Sequence, residues 1–531
     1  MRKETILNNT EAHGWLGLII SALLFVVFFT GSISFFRHEI EQWALQAHYQ
    51  LEEYDPDGYL SVSEIFEIAL EGRAYNPQEP QFVYPPTEAE PYYRAYVNVN
   101  LSEDIASEDY YLLINPKTGE IMGSMEDFFL ADFIYILHYS LNLPLGSYLI
   151  GLVTLAFLYI IFSGVLIHAK DMIRGFFRYR SDGRARSQLL DIHNIVGVIS
   201  LPYTIMLAVT GLIFNLLIIY QIAFALILYQ GNTEALLSDA GIVSSSAEWQ
   251  NIAWQSPPID ELYEQQVDRW SSIPTQVRIT GYGDHGATLE LFGETGEGFN
   301  GRYSISYNLS DRSVNYSEPG SDPNTVTQGI GVVTSLHFGN FAGIDLRTIY
   351  FLLGLAVCAL IVTGNMLWVR QREKTLSSAA VNFVGRFTLA STAGVALACA
   401  AAFIAERLLP MGLTDRGGML VNCFISTLLA ATGYAWLVKN RSLALVRLLQ
   451  CFAALCALIP LIDIVLFSDA LSAAARSGHL TLISVDVVIL SFALLVGYIS
   501  WHLGKQGGQA TKQQTAKEPL SSTDFSAPTS Q

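Results

Sequence analysis

The chain has 531 residues, of which 51% are apolar and only 15% charged, and its net charge is −18. Soluble domains carry about 25% charged residues; with a mean hydropathy of +0.34, this composition excludes an ordinary soluble protein and predicts a bilayer protein. The acidic balance argues against a nucleic-acid partner.

Apolar runs of roughly 20 residues, enough to cross about 30 Å of hydrocarbon, recur at about 14–36, 146–168, 194–222, 346–369, 382–404, 418–438, 443–467 and 480–502. The first run is too long for a signal peptide and lacks its small-residue cleavage site, so it is expected to stay as a helix. The chain then divides into a first span (1–38), an outer domain (39–130), a second span (131–169), a basic loop (170–192) and a third span (193–222). A second outer domain (223–335), a fourth span (336–369), four further spans (382–503) and a tail (504–531) follow. The tail is rich in Gln, Ser, Thr and Lys, which predicts disorder.

Lys170, Arg174, Arg178, Arg180, Arg184 and Arg186 follow the second span, Arg370, Arg372 and Lys374 the fourth, and Lys439 and Arg441 the sixth. By the positive-inside rule these faces and both termini are cytoplasmic. The two large acidic loops then lie on the opposite, outer side of the membrane. Each reads as a small α+β domain. In the first, Leu60–Leu70 has helical spacing, and strands alternate at 92–98 and 110–115 around the turn Asn115-Pro-Lys-Thr-Gly119. In the second, 275–279, 287–292 and 303–308 alternate. Asp55-Pro-Asp57-Gly58 reads as a turn, since Tyr59 and Ser61 stand where calcium ligands would be needed.

The spans contain an internal duplication. His13-x3-Gly17 precedes Thr30-Gly31 as His193-x3-Gly197 precedes Thr210-Gly211. Leu137-His138 likewise precedes Ser163-Gly164, as Leu336-His337 precedes Thr363-Gly364. Two parallel repeats, related by a pseudo-two-fold axis along the membrane normal, follow from this register.

Six of the ten histidines fall at the ends of the first four spans. His13, His168 and His193 lie at the cytoplasmic end, and His38, His138 and His337 at the outer end. Along the first span, His13 and His38 are separated by roughly 37 Å at about 1.5 Å per residue, too far for one iron. The pattern therefore predicts two haems in series, the six histidines being the candidate axial ligands, with their pairing left open. Two imidazoles per iron suit electron transfer and disfavour oxygen binding. No Cys-x-x-Cys-His occurs, which predicts non-covalent haem b. The cysteines, Cys358, Cys399, Cys423, Cys451 and Cys456, all lie in spans and read as packing residues. His48 and His285 read as surface residues, His479 and His502 as interfacial anchors, and Asp463 and Asp486 as partly solvated. No Rossmann fingerprint occurs, so the electron donor is expected to be a separate cytoplasmic protein, a quinol or a soluble reduced flavin.

The His-x3-Gly opening, the Pro-Lys-Thr-Gly turn, the Leu-His and Ser/Thr-Gly pairs and the basic exit resemble the PepSY-associated transmembrane proteins. Leu336-His-Phe-Gly339, Gly343, Arg347, Gly354 and Thr363-Gly-Asn-Met-Leu-Trp368 carry the resemblance furthest, which covers about residues 8–375. It implies periplasmic PepSY-like domains and, through FoxB-like members, a haem-dependent inner-membrane reductase that takes iron from ferric siderophores as Fe(II). Three features depart from the repeat: Trp368 stands where the first repeat has His168, Ile218 stands where His38 would repeat, and spans five to eight lie outside it. Other functions remain open: a PepSY-type regulator of an envelope peptidase, or a transporter, the latter disfavoured by the expected lack of broken, charge-bearing helices.

Overall fold

The computed structural model describes residues 3–51, 54–88, 90–99, 110–168, 180, 185–239, 247–294, 302–318 and 325–515. Among these described residues it is mostly helical, with eight helices long and apolar enough to cross a membrane and one eight-stranded antiparallel sheet. The protein is a multi-pass membrane protein.

The first span is α1 (Lys3–Ser34), followed by the short helix α2 (Arg37–Gln46). Next comes α3 (Val62–Leu70), whose start is fixed by a capping box between Ser61 and Glu64. Strands β1 (Gln81–Tyr84), β2 (Tyr93–Val97), β3 (Tyr110–Ile114) and β4 (Ile121–Ser124) complete the first sheet module. The second module has helix α9 (Ile259–Trp270) and strands β5 (Gln276–Thr280), β6 (Thr288–Glu294), β7 (Arg302–Asn308) and β8 (Val314–Glu318).

The two modules share one sheet, in the order β4-β3-β2-β1-β5-β6-β7-β8. The joint is an antiparallel pairing of β1 with β5 that sets Val83 opposite Val277. Both valines are fully buried, with Ile65, Phe66, Ile279 and Leu289, in the sheet's apolar core. The Ser63 amide donates to Asp260 at 2.9 Å, tying α3 to α9.

In the segment assigned to the second span, 131–169, a separate helix, α4 (Leu130–Ser140), precedes α5 (Gly146–His168), which is the apolar run expected at 146–168. Leu141, Asn142 and Leu145 turn the chain with positive φ, and a Cβ on Gly146 would fall 1.7 Å from the Ser140 carbonyl oxygen. Pro144 also cannot continue a helix. The fourth span is interrupted at the equivalent place: α10 (Thr325–Phe338), a 3-10 turn at Asn340–Ala342 and α11 (Gly343–Arg372). Gly339 and Gly343 supply the positive φ there. The third span is α6 (Ala185–Ile199) and α7 (Leu201–Leu228), broken where Pro202 enters the first turn of α7. A short helix, α8 (Thr233–Asp239), leads away from it. The segments expected at 131–169, 193–222 and 336–369 are thus each interrupted by local Pro and Gly chemistry, while the apolar runs at 146–168 and 346–369 each form one helix.

The remaining spans are α12 (Ser378–Leu408), α13 (Arg416–Leu437) and α14 (Arg441–Leu466); after the short α15 (Ser468–Ser477) comes α16 (Thr481–Thr515). Residues 505–515, expected to be disordered, are helical in α16. Ala, Gln and Lys are good helix formers, and extending an existing helix avoids the cost of nucleation. The rest of the expected disordered tail, 516–531, and most of the basic loop, 169–179 and 181–184, lie outside the described residues.

Asp463 and Asp486 are buried rather than partly solvated. Arg407 Nη2 donates to Asp463 at 2.9 Å, and Trp43 Nε1 donates to Asp486 at 2.9 Å. Arg407 also stacks over the Trp43 ring at 3.3 Å, so the charges that α12, α14 and α16 bury lock α2 against these spans. Among the cysteines, Cys358, Cys399 and Cys456 are buried, while Cys423 and Cys451 face outward from their helices.

Candidate functional site

The four histidines related by the duplication are brought together in two tiers. His138 on α4 and His337 on α10 form the tier on the sheet side, with ring centroids 6.2 Å apart. His13 on α1 and His193 on α6 belong to the tier on the opposite side, where both line one cavity of about 260 Å³. That volume is far above the roughly 10–15 Å³ needed for one water molecule. His168, Gly17, Gly197 and Trp368 line it as well.

Hydrogen bonds fix the tautomer of each ring. His13 Nδ1 lies 3.2 Å from the Ile160 carbonyl oxygen and 3.0 Å from Ser163 Oγ. A carbonyl oxygen can only accept, so Nδ1 carries the proton. His138 Nδ1 likewise donates to the Val27 carbonyl at 2.8 Å. His193 Nδ1 lies 3.1 Å from Thr363 Oγ1, whose own proton goes to the Leu360 carbonyl. His337 Nδ1 lies 2.7 Å from Thr210 Oγ1, whose proton goes to Met206 O. With their protons so engaged, both hydroxyls accept from the imidazoles. In all four rings Nδ1–H is a donor and Nε2 keeps its lone pair, the arrangement by which second-shell acceptors orient metal-ligating histidines.

Each ring also rests on a glycine of the neighbouring helix. A Cβ on Gly164 would lie 3.3 Å from Cε1 and 3.8 Å from Nδ1 of His13, and one on Gly364 would lie at the same two distances from His193. On the sheet side, a Cβ on Gly31 would come within 2.5 Å of His138 Nδ1, and one on Gly211 within 3.4 Å of His337 Cε1. The four Ser/Thr-Gly pairs therefore act as seats, and three of their four hydroxyls also orient the ring. Sequence reasoning placed Thr30, Ser163, Thr210 and Thr363 in the repeat register beside the glycines but gave their hydroxyls no role.

The other two candidates are placed differently. His168 ends α5 and lines the cavity with His13 and His193. His38, on α2, is hydrogen-bonded through Nδ1 to Glu90. Its imidazole and the carboxylates of Glu41 and Glu90 present ligand atoms within 4.8 Å of one another. Burial alone would lower the His38 pKa, but the hydrogen bond and charge of Glu90 outweigh it and hold the pKa above its ordinary value. Burial works against Glu90 too, yet His38 and Arg94 bring its carboxyl down to about 2. Arg94 Nη2 stands 2.8 Å from Glu90, and Tyr92 donates to Glu41 at 3.1 Å. His48 and His285 are exposed.

A relative of known sequence is the uncharacterized protein PA4219 of Pseudomonas aeruginosa, 25% identical over 293 residues that make up 53% of this chain and 74% of the relative. The model of the PepSY-associated TM region matches residues 10–371, a stretch that holds both repeats, the sheet and all four seated histidines. The chain belongs to the PepSY-associated TM region family.

Proposed function

We propose that this protein is a di-haem inner-membrane reductase that carries electrons from the cytoplasmic side to a ferric siderophore, or a similar ferric chelate, in the periplasm. The carrying observation is the set of four seated imidazoles, each with Nδ1–H engaged and Nε2 presented. With a metal–imidazole nitrogen bond of about 2.0–2.1 Å, two imidazoles that shared one iron would have ring centroids roughly 6 Å apart. The 6.2 Å between His138 and His337 fits one iron. The apolar cavity between His13 and His193 fits a flat ring on the other side.

When bound, haem supplies a one-electron relay at each tier. The protein's own contribution is to hold and orient the ligands. Ser163, Thr363, Thr210 and the Val27 carbonyl stop each imidazole from rotating and raise its basicity as a ligand. His13 and the Val27 carbonyl that holds His138 lie on one helix, roughly 21 Å apart at about 1.5 Å per residue. Ile20, Leu24, Phe28, Phe157 and Val357 fill the core between the tiers and keep water out. On this reading the sheet side is periplasmic, and both termini lie in the cytoplasm, where a soluble donor or a quinol supplies the electrons. One electron converts chelated Fe(III) to Fe(II), whose weaker hold on the chelate allows its release.

Purified protein is expected to show reduced b-type haem bands and two haems per chain by pyridine haemochrome. Stopped-flow mixing of the dithionite-reduced protein with ferric siderophores should oxidise the haem far faster than buffer does. A colourless folded protein, or oxidation indifferent to every ferric chelate, would remove this reading.

A further inference from the structure

Trp368 is 5% exposed, and its indole Nε1 finds no acceptor among the described residues. Leaving a buried N–H unpaired is costly, which makes the orphan a mark of a missing acceptor. The ring is firmly held: Trp15 meets it edge-on at 4.9 Å, and the Arg372 guanidinium lies 4.8 Å from its centroid. A Cβ on Gly14 would lie 3.9 Å from Nε1, so the N–H end reaches the α1 wall of the cavity beside His13.

The duplication gives this position a partner. Trp368 stands five residues after Thr363, as His168 stands five after Ser163, and both line the same cavity. The pseudo-two-fold that exchanges His13 with His193 therefore exchanges His168 with Trp368. The matching distances from Gly164 to His13 and from Gly364 to His193 show how closely the axis is kept here. Two axial ligands related by that axis complete an iron, and a third imidazole from one repeat alone would break the symmetry. A haem centred on the axis has its own two-fold, which exchanges its two propionates. Both propionates then point along the axis toward the same side, and the side that offers an N–H donor from each repeat is the one with His168 and Trp368.

Resting on the di-haem reading, we propose that Trp368 and His168 are the paired propionate-binding residues of the haem held by His13 and His193, and that His168 is not an axial ligand. No bond is made or broken: each side chain donates one hydrogen bond to one carboxylate.

The test uses the full-length haem protein and the variants Trp368→Phe, Trp368→His and His168→Leu. All three are expected to keep two haems per chain by pyridine haemochrome. Losing a donor leaves the carboxylate charge less neutralised, which favours the oxidised iron. Trp368→Phe and His168→Leu should then shift the one-electron equilibrium of one haem two- to tenfold toward oxidised, tenfold being 59 mV. The other haem should not move. Resonance Raman propionate bending bands of the shifted haem should change, and Trp368→His, which installs the first repeat's residue, should restore both readouts. Loss of a haem in His168→Leu, or potentials and bands unchanged in both single-donor variants, overturns the assignment alone. Wild-type protein without haem overturns it together with the di-haem reading.

Discussion

The Glu406 carboxylate of α12 accepts the backbone N–H of Leu130, the first residue of α4, at 3.3 Å. Helix α4 has no side-chain cap of its own, and Arg416 holds Glu406 in place with an Nη1 contact of 2.8 Å. Helix α4 carries His138, so a residue outside the duplication helps to place a candidate ligand inside it. Glu406→Ala would strand the buried Arg416 charge, a change that costs about 3–5 kcal/mol when one partner of a buried pair is removed. A lower thermal midpoint in detergent is expected, with the sheet-side haem lost before the other. Equal loss of both haems would show that Glu406 supports the bundle without favouring His138.

Tier-specific loss should follow from the ligand geometry. His138→Ala and His337→Ala are expected to remove one haem of the two and abolish ferric reduction, while the cytoplasmic donor still reduces the remaining haem. His13→Ala or His193→Ala should block reduction by that donor. Haem content and a redox titration of each variant check this, and a loss that crossed tiers would refute the pairing.

The glycine seats predict a graded series. A Cβ at Gly31 would fall 2.5 Å from His138 Nδ1, while at Gly164 and Gly364 it would sit 3.3 Å from Cε1, and at Gly211 3.4 Å. Gly31→Ala should therefore displace His138 and remove the sheet-side haem. Gly211→Ala should keep two haems with a small potential shift, and the other two should fall between. A spectrum of each variant ranks them; an intact sheet-side haem in Gly31→Ala would contradict the seat.

The hydroxyl orienters predict a milder effect. Loss of a second-shell partner typically lowers metal affinity 10–100-fold. Ser163→Ala and Thr363→Val should therefore weaken haem retention on the side away from the sheet, with Ser163→Thr and Thr363→Ser close to wild type. Competitive haem extraction by an apo-haem binder measures the retention.

The His38–Glu90 pair predicts a pH signature. His38 has its pKa raised in the folded protein, so its contribution to stability is full below the ordinary histidine pKa of 6.5 and disappears as pH rises through the raised value. Glu90, lowered to about 2, contributes stability above the ordinary value of 4.5 that is lost as pH falls toward about 2. His38→Gln should thus lower the thermal midpoint most near pH 6, and the difference should shrink at higher pH. A gap independent of pH would show that the imidazole acts by packing.

Much of this architecture was legible because it rests on local pattern. Eight apolar runs, the His-x3-Gly register and the alternation at 110–114 and 302–308 each depend on neighbours in sequence. The seats were half legible: the register showed Gly31 and Gly211, but not that Val27 and Thr210 would hold the rings. What was missed depended on distant partners. Nothing near His38 in sequence announces Glu90, 52 positions away, which engages its Nδ1. Asp463 and Asp486 looked solvated because nothing near them in sequence announces Arg407 and Trp43. The breaks at Leu141–Leu145 and Gly339–Gly343 lie just before the apolar runs read at 146–168 and 346–369, so the runs themselves were legible, but the separate helices α4 and α10 before them were not.

The β1–β5 seam has a consequence for ancestry and for engineering. Each repeat, taken as a chain of its own, would leave that strand as an open edge, a template for pairing with another molecule. Two identical copies could close it on one another by a self-complementary contact, the isologous interface of a two-fold dimer. The same operation would bring two His-x3-Gly helices together around one axis. The molecule is thus a dimer written in one chain, and the fusion frees each half to diverge, as Trp368 has from His168.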